Sequence, residues 1–302
     1  MDLKHSPLYA ESWNVAYRFI ESGSIIKDQE TVFHIIPNAS KYWAADPMVF
    51  NYKGKIYIFA ELYDYSLCRG TIGYTVYDGE RFDTWRQVIV EGFHLSYPFL
   101  FQINDEVFML PESSASHQLI LYRAINFPTE WKIAKVIAEN VWWVDTTIYK
   151  IKRGFIGFTQ EISDPTIDLK LLFDEELNLL SKEIIAENAK RYRCGGRIFE
   201  YKGELIRVCQ DCGEDYGKAL VFRFCSLYNF SERKSIIINP EQLNYDKKIL
   251  LDGMHTYTSL KNIEVIDLKT RRLSFRNLFY RILSKIKNYI RKVKFLYGDT
   301  TS

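Results

Sequence analysis

Apolar and polar residues alternate along most of this chain in short runs of period two, and tight polar turns interrupt the runs. Such alternation predicts strands with one buried face, whereas amphipathic helices repeat every three to four residues. One strand–turn–strand unit recurs five times at a spacing of roughly fifty residues. Its copies run from Asp46 to Glu61, Tyr97 to Glu112, Asp145 to Gln160 and Gly195 to Gln210, with a shorter one from His255 to Asp267. The turns Lys53-Gly54, Asn104-Asp105, Arg153-Gly154 and Lys202-Gly203 carry hairpin chemistry. Further strand-like runs follow at Thr71–Tyr77, Gln118–Arg123, Leu169–Phe173 and Ala219–Phe224, making about four strands per unit. Four-stranded units repeated without intervening helices predict an all-β fold, a five-bladed β-propeller. The strand-like run from Trp13 to Ile20 precedes the first unit and is expected to join the last blade, closing the ring and hiding an edge strand.

The pattern changes at the C-terminal end. Phe275, Leu278, Phe279, Ile282, Ile286, Tyr289, Ile290 and Val293 recur at helical spacing among many Lys and Arg. The expected organisation is therefore a propeller over 1–268 and a basic amphipathic helical tail over 269–302. The formal charge is only +2, yet Lys269 to Lys294 contains no Asp or Glu, so the remainder is net acidic. A basic amphipathic helix suits an anionic membrane surface or an acidic partner, here through 273–295; docking on the propeller is the alternative. Nucleic acid is not expected as a partner, because the basic charge is confined to one segment and no nucleic-acid-binding motif is evident.

No apolar secretory segment and no run long enough to span a bilayer is visible, which predicts a cytoplasmic protein, peripheral on the inner membrane face if the tail binds lipid. The five cysteines are an odd number, favouring reduced thiols. Cys209 and Cys212 form a CxxC without a second pair or a nearby His, so they read as strand cysteines; no metal or cofactor is expected.

In a propeller, equivalent positions of the blades converge on one axis. The first column reads Asp46, Tyr97, Asp145, Gly195 and the His255 region; the second, fifteen residues on, reads Glu61, Glu112, Gln160-Glu161, Gln210-Asp211 and Asp267. Core packing favours apolar side chains, so recurring polar ones point to an axial site, with structural turn carboxylates as the alternative. Paired carboxylates in a cleft are the equipment of glycoside chemistry. Asp46, Asp145 and Glu112 are the candidate catalytic groups. Trp43, Tyr97 and Trp143 offer rings suited to sugar faces, alongside Glu61, Gln210, Asp211 and His255. Arg197, clustered with Arg193 and Arg207, offers a fork for carboxylate or phosphate unless it is held in a salt bridge.

Several short motifs carry a family resemblance. Ala45-Asp46-Pro47, Val144-Asp145-Thr146 and His255-Thr256-Tyr257 resemble the furanosidase-type propellers of glycoside hydrolase families 43 and 32. A longer set looks closer to the N-terminal domain of plant glucosamine inositolphosphorylceramide transferases and its bacterial relatives in surface-polysaccharide pathways. That set includes Ser96-Tyr97-Pro98, Leu110-Pro111-Glu112, Phe127-Pro128, Gly196-Arg197-Ile198, Cys209-Gln210-Asp211 and Tyr216-Gly217. The hydrolase resemblance implies a general base at Asp46 and an acid-tuning carboxylate at Asp145. Its fourth-blade proton-donating Glu has no counterpart, because Gly195 occupies the position; Glu112, Glu161 and Asp211 are the available substitutes. The resemblance implies a carbohydrate-active or carbohydrate-binding propeller in bacterial glycoconjugate biosynthesis, performing transfer or hydrolysis. The alternative is a non-catalytic module that binds sugar or scaffolds a partner transferase.

Overall fold

The computed structural model describes residues 9–20, 24–165, 167–186, 190–227, 230–248 and 250–273, together with residues 279, 282, 283 and 286. Its strands form five antiparallel sheets, each a blade. Blade one is β3 (Tyr42–Tyr52), β4 (Lys55–Asp64), β5 (Arg69–Val76) and β6 (Arg86–Ile89). Blade two is β7 (Ser96–Ile103), β8 (Glu106–Glu112), β9 (Gln118–Asn126) and β10 (Glu130–Glu139). Blade three is β11 (Trp143–Lys150), β12 (Phe155–Glu161), β13 (Asp168–Phe173) and β14 (Leu179–Ala186); blade four is β15 (Phe199–Tyr201), β16 (Glu204–Asp211), β17 (Ala219–Cys225) and β18 (Glu232–Ile238). The expected propeller is present. Lys53-Gly54 and Lys202-Gly203 have positive φ at both residues, matching the twist of the strands they join.

Blade five combines both ends of the fold. β1 (Tyr9–Phe19) pairs antiparallel with β21 (Ile263–Leu273) over eleven residues, and β2 (His34–Ile35) flanks β1. The inner edge of β21 is covered by two short strands, β19 (Leu251–Gly253) and β20 (Tyr257–Leu260). Arg18 and Glu264, fully buried and directly opposite in this register, form an ion pair at 2.7 Å. The ring-closing role expected of the N-terminal strand is thus observed. The strand pairing runs five residues past the boundary expected at 268, and Lys269 and Thr270 are buried. The amphipathic helix expected at 273–295 lies mostly outside the described residues.

A second regularity positions the site. The inner and second strands of blades one to three slip register at the same place, between Ala45/Met48, Ser96/Phe99 and Val144/Thr147. The residue entering each bulge has a left-handed backbone: Asp46 (φ 52), Tyr97 (φ 42) and Asp145 (φ 51). Such a conformation costs a non-glycine residue on the order of 1–3 kcal/mol, and recurrence in three blades marks it as built in. The bulges release these side chains from the strand alternation. In blade four, Gly196 (φ 150) makes a parallel bridge to Tyr257. A Cβ there would fall 1.8 Å from the Tyr257 carbonyl oxygen, and one at Gly195 would fall 2.4 Å from that of His255. The inner edges of blades four and five are thus too close for a side chain. A carboxylate at the blade-four position of the column would not fit against this close approach.

Candidate functional site

At the start of the inner strands lies a cavity of about 330 Å³. Asp46, Glu61, Glu112, His94 and His255 line it, with Trp13, Trp43, Tyr63 and Tyr216 among its aromatic lining and Arg193 its basic group. Strand register explains the two columns. Ala45, just before Asp46, faces Glu61; Ser96, just before Tyr97, faces Glu112; Val144, just before Asp145, faces Gln160.

The inner edge of blade five breaks between β19 and β20, and His255 occupies the break. Asp267 bridges the gap: its Oδ1 accepts the backbone N–H groups of His255 (2.9 Å) and Thr256 (3.0 Å). Its Oδ2 accepts the Asp46 N–H (3.0 Å) and lies 2.6 Å from His255 Nδ1. That contact places the proton on Nδ1 and turns Nε2 toward Asp46 Oδ1, 3.7 Å away. Asp46 also accepts the Thr256 hydroxyl (3.0 Å) and the Tyr97 N–H (3.2 Å). Asp46, His255 and Asp267 could present one atom each to a metal ion, all within 4.8 Å. The hydrogen bonds already made by Asp267 compete with that use; Asp267 fixes the imidazole, while Asp46 stands 3.7 Å from Nε2, beyond hydrogen-bond reach.

Electrostatics separate these groups. Burial pushes Asp46 up to about 7, opposed by His255 and reinforced by Asp145 and Asp267. Glu61 is raised well above the carboxylate range by burial and then by Asp46, Glu112 and Asp145; Glu112 is raised by burial against its Ser114 hydrogen bonds. For His255, burial opposes the charged ring, but Asp267 and Asp46 outweigh it and the net shift is upward. His94 is lowered by burial, and its Nδ1 accepts the Gly70 N–H at 2.9 Å, so its proton sits on Nε2. That nitrogen is 3.5 Å from Glu61 Oε1, beyond a good hydrogen bond. Among the described residues, two buried carboxylate oxygens have no hydrogen-bond partner, and both belong to the polar columns: Glu61 Oε1 and Asp145 Oδ1.

Of the predicted residues, Asp46, Glu61, Glu112, Trp43 and His255 meet in the cavity. Asp145, buried, accepts Arg193 Nε (2.5 Å) and Gln210 Nε2 (2.7 Å), so it and Gln210 hold the one cavity-lining arginine in place. Four expectations need revision. Tyr97 is wholly buried and reaches across the channel to Thr147 (2.7 Å) and to the Gly196 N–H (2.7 Å), making it a strut, not a sugar platform. Trp143 packs in the core of blades one to three. Asp211 binds Arg191 (3.0 Å) and the Gly213 N–H (2.9 Å), as a turn carboxylate. Arg197 lies toward the other end of the inner strands, with its guanidinium on the Leu100 carbonyl. Trp13 and Tyr63 were absent from the expected site. Trp13 stacks on His255 at 4.0 Å, and Tyr63 stacks on Trp43 at 4.9 Å. Tyr63 lies two residues beyond Glu61 on the same strand face, a signal the sequence carried.

Residues 31–247 match the family described as "Glucosamine inositolphosphorylceramide transferase 1, N-terminal". The chain belongs to this family. A relative from Arabidopsis thaliana, glucosamine inositolphosphorylceramide transferase 1, is 34% identical over 194 residues, covering 58% of this chain and 24% of the relative. The rice relative of the same name is 27% identical over 217 residues, covering 65% of this chain and 28% of the relative. The chain thus spans about a quarter of the length of the curated relatives it matches. Among solved structures, the catalytic domain of a Coprinopsis cinerea family 62 α-L-arabinofuranosidase superposes with a TM-score of 0.59 at 10% identity, covering 87% of this chain and 98% of that one. At that identity the likeness establishes the furanosidase-type propeller fold alone. The bacterial setting expected from the sequence finds no support in these relatives, which are plant proteins.

Proposed function

We propose that the axial cavity binds a glycosyl group, with Asp46, Glu61 and Glu112 accepting its hydroxyls and the aromatic rings packing on its faces. The observation that carries this reading is the pair of buried carboxylate oxygens without donors, in and beside a cavity walled by Trp13, Trp43, Tyr63 and Tyr216. A folded protein seldom leaves such acceptors unmatched unless a ligand or water supplies the donor. Sugars supply several hydroxyl donors on a ring whose C–H faces suit aromatic walls. The relatives' name adds a link to glycosyl transfer, and a structural neighbour was captured with cellotriose.

Asp46 is suited to proton exchange with the bound sugar. Asp46, pushed up to about 7, can hold or release a proton near neutrality, and His255 beside it is held by Asp267. Glycosyl transfer or hydrolysis would use Asp46 in this role, with Glu61 or Glu112 as the second carboxyl group. Binding without chemistry, as a module serving a partner transferase, uses the same contacts. Nothing in the cavity chemistry requires a bacterial host. A thermal-shift and calorimetric screen of mono- and oligosaccharides and activated sugars tests the proposal. At least one should bind saturably, and Asp46→Asn and Glu61→Gln should each weaken it about tenfold, the scale of one lost buried hydrogen bond. Failure of every sugar to bind would reject the reading.

A membrane role for the tail rests on a separate observation. Phe279, Ile282, Leu283 and Ile286 are helical, spaced as i, i+3, i+4 and i+7, and 36–59% exposed. An exposed apolar stripe in a segment rich in Lys and Arg suits an anionic membrane surface. Deleting residues 274–302, beyond the strand pairing, should release the protein from phosphatidylserine-containing vesicles and leave the melting temperature of the propeller unchanged. Early melting of the truncated chain would instead make the tail a structural element.

A further inference from the structure

The inner strands have a second end, and its chemistry is opposite in sign to that of the first. A cavity of about 450 Å³ opens there, bounded by the turn of blade two at Gln102–Asn104 and by the ends of the blade-three hairpin. A strip of phenyl rings runs along it. Phe99 and Phe101 have centroids 6.3 Å apart, and Phe101 and Phe155 are 6.1 Å apart. A cation sits at each end of the strip: the Arg197 guanidinium is 5.0 Å from the Phe99 centroid, and Lys150 Nζ is 4.5 Å from that of Phe155.

These two cations, half-buried Arg197 and exposed Lys150, differ from the paired cations inside the fold. Arg207 forks onto Asp168 with two 2.8 Å bonds, Arg193 binds Asp145, and Arg18 binds Glu264. Arg197 has only the Leu100 carbonyl, and neither Arg197 nor Lys150 forms an ion pair with any described carboxylate. Burial without a counter-charge lowers Arg197 to about 10. Glu200, beside the cavity-lining Tyr149, accepts its hydroxyl at 3.1 Å. An adjoining cavity shares Tyr149 and Lys150 and adds Lys152 and Arg153 to its lining, which reinforces the positive field. Holding a guanidinium half-buried without a carboxylate is costly unless an anion completes it.

We propose that this cavity is a second binding site, for the phosphoryl group of a small organic phosphate: Arg197 holds the anion, the phenyl strip holds its carbon skeleton, and Lys150 at the far end of the strip adds to the attracting field. A guanidinium fork matches phosphate oxygens, and the cavity has the size of an ordinary small-molecule site. The site is separate from the axial cavity, so it stands or falls independently of sugar binding there.

Calorimetric titration of the full chain with phenyl phosphate provides the test. Saturable binding is expected, tighter than for inorganic phosphate and absent for phenol. Arg197→Gln should weaken it at least about tenfold. Lys150→Gln should weaken it less, by about threefold through the lost field, and because Lys150 is exposed this variant keeps the fold intact should Arg197→Gln fail to fold. Lys182→Gln, which changes an exposed lysine on the outer strand of blade three, should bind as the wild type does. A parallel sedimentation assay with phosphatidic acid in phosphatidylcholine vesicles distinguishes the sources. Vesicle binding displaced by phenyl phosphate identifies a lipid headgroup as the ligand, and phenyl phosphate binding that leaves any vesicle binding undisplaced identifies a soluble one. Absence of saturable phenyl phosphate binding, or unchanged binding in Lys150→Gln, would overturn the proposal.

Discussion

Blade five holds two buried charge clusters on one strand, and they are finished differently. Glu264 on β21 meets Arg18 across the ring closure, and its atoms are fully engaged. Oε2 takes the guanidinium, and Oε1 takes the Ile25 N–H (2.7 Å) and the Tyr257 hydroxyl (2.5 Å). The rest of the Arg18 fork is spent on the Thr31 and Asp28 carbonyls. Three residues along the same strand, Asp267 is equally saturated, but it anchors a cluster that is not. Moving outward from it, Asp46 keeps partners on both oxygens, while Glu61 and Asp145 each retain a bare one. A closed circuit of donors and acceptors belongs to stability. A circuit left open toward a cavity is available for a ligand. The contrast separates saturated carboxylates from those with a spare acceptor where burial alone does not, since Glu264 and Glu61 are both buried.

The largest expected effect follows from breaking the closed circuit. Glu264→Ala should destabilise the propeller by about 3–5 kcal/mol, because it strands a buried guanidinium and releases two further donors. Asp46→Asn should change stability far less, and chemical denaturation of the two variants side by side measures the difference. Equal losses would erase the distinction. Next in size is Tyr97→Phe. It removes the acceptor of the buried Gly196 N–H, so about 1–3 kcal/mol should be lost, while sugar binding to the variant stays intact. Lost binding with unchanged stability would return Tyr97 to the site. A further effect concerns pH. Asp46 rises from 3.8 in the unfolded reference to about 7 in the fold. Over that window the native state binds more protons than the unfolded one, so this group's contribution to stability is present at low pH and lost as pH rises toward 7. Asp46→Asn should flatten that slope in urea titrations at several pH values; an unaltered slope would assign it to other groups.

Much of this architecture was legible because local chemistry repeats. The Lys-Gly turns, the period-two runs and the fifty-residue spacing each reported on a hairpin or a blade, and Asp46, Glu61 and Glu112 were found by recurrence. The failures come from bulges and from geometry across blades. Tyr97 shares the column and the left-handed backbone of Asp46, yet it faces Gly196, where the absence of a side chain leaves room for its ring to cross the channel. Arg193 and Arg197 look equivalent in sequence, but the Gly195-Gly196 segment lies between them, and they serve opposite ends of the strands. Trp13 reaches the site only because its strand joins the last blade, a contact between positions some 250 residues apart.

That closure also sets an order of events during synthesis. β1 emerges first but its partner emerges last, and at typical translation rates the interval is on the order of ten to fifty seconds. Until then a largely apolar strand waits with its hydrogen-bonding edge open, a template for pairing with any neighbouring chain. The Arg18 charge within that strand discourages such mispairing, because burying it away from Glu264 is costly. The ion pair that clasps the closure therefore also disfavours wrong partners for this strand.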